Sequence, residues 1–201
     1  MMREPFWEET YADESSSIFG DASREIVAAS GVLPRDSRVL DMGCGEGRNA
    51  LFLARAGFRV DAFDISERAV SKMLRSAEQR GIEVTGWVED MTRFRFRRQY
   101  DLIISHGVLH LLQRDDWRRV IDDMQAHTRS GGANVVAVFV DTLPTPEDLI
   151  PFVRGLFRPG ELAGLYSGWD VELSESYIKE DEHPNGLRHR HPIDKVVAWK
   201  R

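Results

Sequence analysis

Short apolar runs alternate with helically spaced apolar positions along most of the chain. "RVLDMG" (38–43), "RVDAFD" (59–64), "IEVTGWVED" (82–90), "YDLIIS" (100–105) and "ANVVAVFV" (133–140) read as strands bounded by polar or turn residues. Residues around Glu14–Ser30 read as an opening helix that closes at Gly31. Gly47–Ala56 is apolar on most sides, as a helix packed on a sheet should be, and Gly57 is placed to cap it. Ser66 suits an N-cap, followed by Ala69, Val70, Met73, Leu74 and Ala77 at helical spacing until Gly81. Trp117, Val120, Ile121 and Met124 form another stripe, expected to end at Ser130-Gly131-Gly132. Strands alternating with helices predict a mostly parallel sheet with helices on both faces, because parallel strands need crossover connections.

The pattern changes after Asp141. A proline-bearing stretch, 141–166, reads as an acceptor-side insert or lid that ends in a short helix near Gly160–Tyr166. Two strand-like segments, "GWDVELSESYIKE" and "RHRHPIDKVVAWK", then flank "HPNG", and Asn185-Gly186 is a hairpin signal. The sheet is therefore expected to finish in an antiparallel pair. With no repeat and no linker, residues 1–201 read as one domain, with 1–30 as a helical cap.

Composition adds only limits. The 42% hydrophobic and 30% charged residues are ordinary for a globular protein, and a net charge of −6 argues against non-specific nucleic-acid binding. The single cysteine, Cys44, excludes an intrachain disulfide, and no apolar run is long enough for a membrane span. A cytoplasmic monomer or homodimer, with neither nucleic acid nor membrane as partner, is the expectation.

"DMGCGEGRNALFLARAGFRVDAFDIS" (41–66) carries the chemistry. A strand that runs into glycines and then a helix presents backbone N–H groups to a ligand. The spacing Gly43-x-Gly45-x-Gly47 misses the dinucleotide fingerprint, whose third glycine would fall at Arg48, and no Gly-Lys-Ser/Thr of a P-loop follows. Asp41 would repel a phosphate but suits an ammonium group. Asp64 can accept from the hydroxyls of an unphosphorylated ribose, and Asp90 from an adenine amino group with Met91 against the ring. Open α/β sheets bind ligands at the carboxyl ends of their strands, where all three acids fall. Ammonium, ribose and adenine acceptors together describe S-adenosylmethionine. Cys44 beside a helix N-terminus could be read as a nucleophile, but a small residue is all that the loop requires.

These residues resemble the first motifs of class I S-adenosylmethionine-dependent methyltransferases, and are most similar to the tellurite-resistance methyltransferases. Arg48-Asn49, "YDLIISHGVLHLL", Pro151-Phe152 and "PGELAGLYSGWDVELSES" carry the likeness, which runs from about Trp7. It implies a Rossmann-like α/β fold with a seven-stranded sheet whose last strand is antiparallel. It also implies a cofactor pocket lined by Asp41, Gly43, Gly45, Arg48, Asp64, Ile65, Asp90, Met91 and Ser105, with Cys44 and Asn49 in the same loop. Trp7 and Tyr11 would close over it. His106 would face the methyl group or the cofactor's carboxylate, and is with Arg188 a candidate catalytic residue. The acceptor is expected to be a small molecule, a tellurite- or selenite-type oxyanion or an organic thiol, hydroxyl or amine. A non-catalytic S-adenosylmethionine-binding regulator is the other class kept open.

One departure bears on the acceptor. The family's His-Arg pair before the Asn-Gly turn is replaced here by the acidic "IKEDEHPNG", and only Arg188 matches a family arginine. The resemblance thus carries the cofactor further than it carries tellurite. Arg154, Arg158 and Arg188 could pair with an anionic acceptor, Arg158 reading rather as solvated. His110 reads as packed in "VLHLL". His189 and His191 share a strand face, with His183 nearby, and read as acceptor-side or surface residues rather than metal ligands. "TRFRFRRQY" (92–100) reads as a connection whose phenylalanines pack and whose arginines are solvated.

Overall fold

The protein is described by a computed structural model at residues 8, 11–12, 20–182 and 188–201, with the side chains of 181–182 and 188–189 outside the described set. In chain order the elements are α1 (Arg24–Val32), β1 (Arg38–Met42), α2 (Arg48–Arg55), β2 (Arg59–Asp64), α3 (Glu67–Gln79), β3 (Thr85–Val88) and β4 (Tyr100–His106). A 3-10 turn at Leu109–Leu111 precedes α4 (Arg114–His127), β5 (Thr128–Phe139), α5 (Glu161–Leu165), β6 (Asp170–Glu182) and β7 (Arg188–Trp199). The strands form one sheet in the order β3-β2-β1-β4-β5-β7-β6. The neighbours from β3 to β5 are parallel, and β7 is antiparallel to both β5 and β6. Only β7 runs against the rest.

The period-2 geometry of the strands sorts their side chains into two cores. Val39, Leu102, Ile104, Ala133, Val135 and Val197 pack with Ile26 and Ala29 of α1, Leu51 and Leu53 of α2, and Met73 and Ala77 of α3. Their neighbours Leu40, Met42, Ile103, Val136, Val138, Val196 and Ala198 face Trp117, Val120, Ile121 and Met124 of α4 and Leu162 of α5. Helices therefore cover both faces, as the alternating pattern predicts.

The boundaries differ in three places, each with a local cause. The opening helix is observed only over Arg24–Val32; residues 14–19 of its expected span lie outside the described residues, and it runs through Gly31 instead of closing there. It stops at Leu33, which is extended because Pro34 follows. The third strand is trimmed to Thr85–Val88, because Asp90 starts a turn: its Oδ1 accepts from the Thr92 amide at 2.8 Å and the Thr92 hydroxyl at 2.7 Å. Ser130-Gly131-Gly132 does not end α4. The Thr128 hydroxyl donates to Met124 O at 2.7 Å and accepts from Asn134 Nδ2 at 2.7 Å, and Tyr166 donates to Asn134 Oδ1 at 3.1 Å. This buried network turns the chain at Thr128, and the glycines sit in the irregular start of β5. The "HPNG" turn lies outside the described residues, but the antiparallel β6–β7 ladder on either side of it is present.

Three other expectations meet the structure directly. In 92–100, Phe94 and Phe96 pack on the core while Arg93, Arg95, Arg97 and Arg98 are exposed. The 141–166 segment docks on the α4 face through buried Phe157, stacked on Trp117 at 3.9 Å, and its Leu149 is buried as well. Ser66 caps α3, its Oγ accepting from the Ala69 amide at 3.1 Å. Ser66→Ala is expected to destabilise the protein by about 1 kcal/mol, the usual loss for such a cap, read as a lower urea midpoint at unchanged slope.

Candidate cofactor and acceptor site

Strand order reverses between β1 and β4: β2 and β3 extend the sheet to one side, β5 and beyond to the other. At such a switch point the loops leaving two adjacent strands part in opposite directions and open a crevice. Here β1 with Asp41 and β4 with Ser105 and His106 flank that switch point, and the glycine loop leaves the end of β1.

The loop is held open by its own backbone. The Gly43 and Cys44 amides donate to Phe63 O at 2.8 and 3.0 Å, binding the loop to β2. Gly43, Gly45 and Gly47 have φ of 76°, 54° and 84°, a region that side chains disfavour. A Cβ at Gly43 would stand 2.6 Å from Val108 Cγ2, and one at Gly47 would enter Met73. Tyr11 is buried with its hydroxyl end against Gly45, and Trp7 lies outside the described residues.

Asp41 is 1% exposed, and its Oδ2 is buried without a hydrogen-bond partner among the described residues. Burial raises its pKa to about 7, with Asp64 adding to the rise and Arg48 and the Ala50 amide opposing it. A buried, unsatisfied carboxylate oxygen beside a glycine loop has the chemistry to accept from a cationic donor. Asp64 ends β2 and braces the loop: Oδ2 accepts from the Gly45 amide at 2.9 Å and Oδ1 from the Ser66 amide at 2.9 Å. A carboxylate has about four acceptor positions, so these amide bonds leave capacity for a ribose hydroxyl. Burial raises the Asp64 pKa as well, against those amide bonds. Ile65 beside it is 70% exposed, and Val88, in register with Asp64, is exposed too, leaving an apolar shelf at the tips of β2 and β3. Met91, three residues after Val88, is buried in the α4-side core, and Asp90 has one oxygen committed to Thr92, with its other oxygen near Arg93 Nε at 3.6 Å. Ser105 is fully buried, with its hydroxyl unpartnered among the described residues. Cys44 is buried, and burial together with Asp41 and Asp64 raises its thiol pKa, the opposite of what a nucleophile needs.

His106 is engaged at both ring nitrogens. Arg48 Nη2 lies 3.3 Å from Nδ1, and Glu25 Oε1 lies 2.9 Å from Nε2. A guanidinium can only donate, so Nδ1 is the acceptor and Nε2 carries the proton. Burial lowers the His106 pKa, against the Glu25 bond, and keeps the ring neutral. Asn49 accepts from the Ser23 amide at 3.0 Å and so docks the segment before α1. Arg188 opens β7, with its side chain outside the described set.

Away from the crevice, His110 is buried and stacks on Phe139 at 3.9 Å, which stacks on His191 at 4.6 Å. Burial, with His191 nearby, lowers the His110 pKa to about 3. His110 is packed as its apolar setting predicts, whereas His191, expected at the acceptor side or the surface, is buried in the same stack. No group of three potential ligands for a metal occurs among the described residues. Arg154 and Arg158 come together with Arg114 and Asp141 in an open cavity of about 450 Å³ beside the first turn of α4. No described helix is long and apolar enough to cross a membrane.

Two site residues escaped the sequence reading, Glu25 and Lys195. Glu25 is 8% exposed on the inner face of α1, and Lys195 is 7% exposed and pairs with it at 3.0 Å. The available signal was a lysine opening the apolar run "KVVAW".

The strand order, the single reversed strand and the glycine loop are those of the class I methyltransferase fold, and S-adenosylmethionine is the cofactor whose charges these residues match. The chain belongs to the family described as tellurite resistance protein TehB, which it matches over residues 6–189. A probable S-adenosyl-L-methionine-dependent methyltransferase TehB from Haemophilus influenzae (strain 10810) is 31% identical over 179 residues, covering 86% of this chain and 59% of the relative. The crystal structure of TehB from Haemophilus influenzae superposes with a TM-score of 0.80 at 25% identity, covering 98% of this chain and 66% of that one. Magnesium protoporphyrin IX methyltransferase from Synechocystis PCC 6803 with bound SAH shares the fold at a TM-score of 0.66 and 18% identity, covering 98% of this chain and 97% of that one. The chain spans about three fifths of the length of the curated TehB relatives it matches.

Proposed function

We propose that this protein transfers the methyl group of S-adenosylmethionine to a small acceptor held beside His106. The observation that carries the reading is Asp41, whose buried, unpartnered oxygen lies at the sheet's switch point beneath a glycine loop. The ammonium of the cofactor's amino acid tail satisfies that oxygen, and Arg48 is the nearby cation for its carboxylate. Asp64 takes the ribose, and the Ile65–Val88 shelf with Met91 takes the adenine.

The bound cofactor supplies a sulfonium leaving group and with it the positive charge that drives displacement. The protein's share is alignment and exclusion of water. Asp41 and Asp64 fix the donor's amino acid tail and ribose, on either side of the sulfonium, and Tyr11 and α1 cover the crevice. Orienting two reactants in this way removes about 7–11 kcal/mol of barrier in favourable cases. His106 contributes position, since neither ring nitrogen is free to remove a proton.

Tellurite or selenite is the acceptor class that the family's name favours, and small thiols are the organic alternative; both attack through a lone pair. The test is a methyl-transfer assay with tellurite, selenite and a panel of small thiols, hydroxyls, amines and carboxylates, reading S-adenosylhomocysteine. Acceptor-dependent product is expected. Tight cofactor binding with no product from any acceptor would sink the enzymatic reading.

A further inference from the structure

The register of the sheet sets His106, Ala137 and Lys195 side by side on β4, β5 and β7. All three lie on the face that α1 covers. Ala137 is small, and one carboxylate from α1, that of Glu25, reaches both of the residues that flank it. Oε1 lies 2.9 Å from His106 Nε2 and Oε2 lies 3.0 Å from Lys195 Nζ. The Ser23 hydroxyl is 3.2 Å from the same histidine nitrogen. Arg48 closes the cluster behind His106, and the Tyr177 ring stands 5.1 Å from the Lys195 ammonium. Donors from two strands thus converge on one buried carboxylate, one guanidinium away from the acid assigned to the cofactor's ammonium.

A buried lysine needs a counter-ion, and here that ion is held on a peripheral helix of nine residues. An exchange of one carboxylate for another would keep Lys195 paired throughout. The committed nitrogens of His106 point the same way, because a site without a free base suits an acceptor that is already an anion.

We propose that His106 and Lys195, with Ser23, form the seat for a carboxylate-bearing methyl acceptor, and that Glu25 fills this seat when no acceptor is bound. This rests on the methyltransferase reading above. In the transfer, a lone pair of the acceptor oxygen on the His106 side forms the new O–C bond. The C–S bond breaks, its electron pair stays on sulfur, and S-adenosylhomocysteine results. The monoanion becomes a neutral methyl ester, so no proton moves. The ester no longer pairs with Lys195, and Glu25 returns to expel it.

Glu25→Ala vacates the seat, and its thermal melt, followed without cofactor, reports whether the seat takes a free carboxylate. The variant is expected to melt well below the wild type in chloride and to recover by several degrees in tens of millimolar formate or acetate at equal ionic strength. The wild type should not respond, and Lys195→Met added to Glu25→Ala should abolish the recovery. A variant unfolded in chloride still reports, because formate must then restore a cooperative melt. Insensitivity to formate, or equal recovery in selenite, overturns the carboxylate seat. In the wild type, mass spectrometry of small carboxylic acids incubated with S-adenosylmethionine should show methyl esters. Methylated thiols or selenium without any ester would overturn the seat and leave the methyltransferase intact. Absence of S-adenosylhomocysteine with every acceptor would remove both.

Discussion

Asp41→Asn is expected to weaken S-adenosylmethionine binding by about 10–100-fold while stabilising the unliganded protein above pH 7. Binding weakens because the cofactor's ammonium loses a charged hydrogen bond worth about 1.5–3 kcal/mol. Stability rises because burial has lifted the Asp41 pKa from 3.8 to about 7. A folded pKa above the unfolded one favours folding most below pH 4, and this advantage is lost as pH climbs through 7. At pH 8 the native chain therefore holds a buried carboxylate that an amide would relieve, by on the order of 2–4 kcal/mol. The lower part of that range is expected, since the amide brings a donor that also needs a partner. The same group sets the pH dependence of binding. Below pH 7 the cofactor meets a protonated acid, and affinity should fall up to tenfold per pH unit. Above about pH 8 the cofactor's own amino group loses its charge and affinity should fall again. The Asn variant keeps only the alkaline limb. Calorimetry between pH 5.5 and 9, with urea denaturation at both ends, reads both effects; an unchanged acid limb in the variant would remove Asp41 from the site.

Gly47→Ala is expected to be the most damaging single methyl group in the loop. The residue has φ of 84°, which costs about 1–2 kcal/mol for an L side chain. Its Cβ would also enter Met73, which is fully buried between Gly47 and Gly86 of β3, and overpacking there adds about 1–3 kcal/mol. The sum is a large part of the 5–15 kcal/mol by which domains of this size are usually stable. Gly57 makes the control. It has a φ of 95° but open space where the methyl would go, so Gly57→Ala should lose only the backbone contribution. Equal urea midpoints for the two variants would show that Met73 yields freely.

Much of this site is local in sequence, which is why it was readable there. Asp41, the glycines and Arg48 fall within eight positions, and Asp64 reaches them because β1 and β2 lie side by side in register. The strand and helix assignments followed the same logic, with Arg59–Asp64 and the Ser66 cap found where the pattern placed them. Local pattern is silent where distant groups decide. Thr128 ends α4 only because Asn134 and Tyr166 complete its hydrogen bonds, so the glycines three residues on looked like the better stop. Glu25 meets His106 across 81 positions and Lys195 across 170, and no local period encodes such a meeting. His106 shows the consequence. From sequence it looked free to meet an acceptor, whereas the fold gives both of its nitrogens to other residues.

A crystal structure with S-adenosylhomocysteine measures the central assignment most directly. The amino group is expected within hydrogen-bond distance of Asp41 Oδ2, with the ribose on Asp64 and the adenine over Ile65. A ligand seated elsewhere, or one that leaves the Asp41 oxygen unpaired, would contradict it.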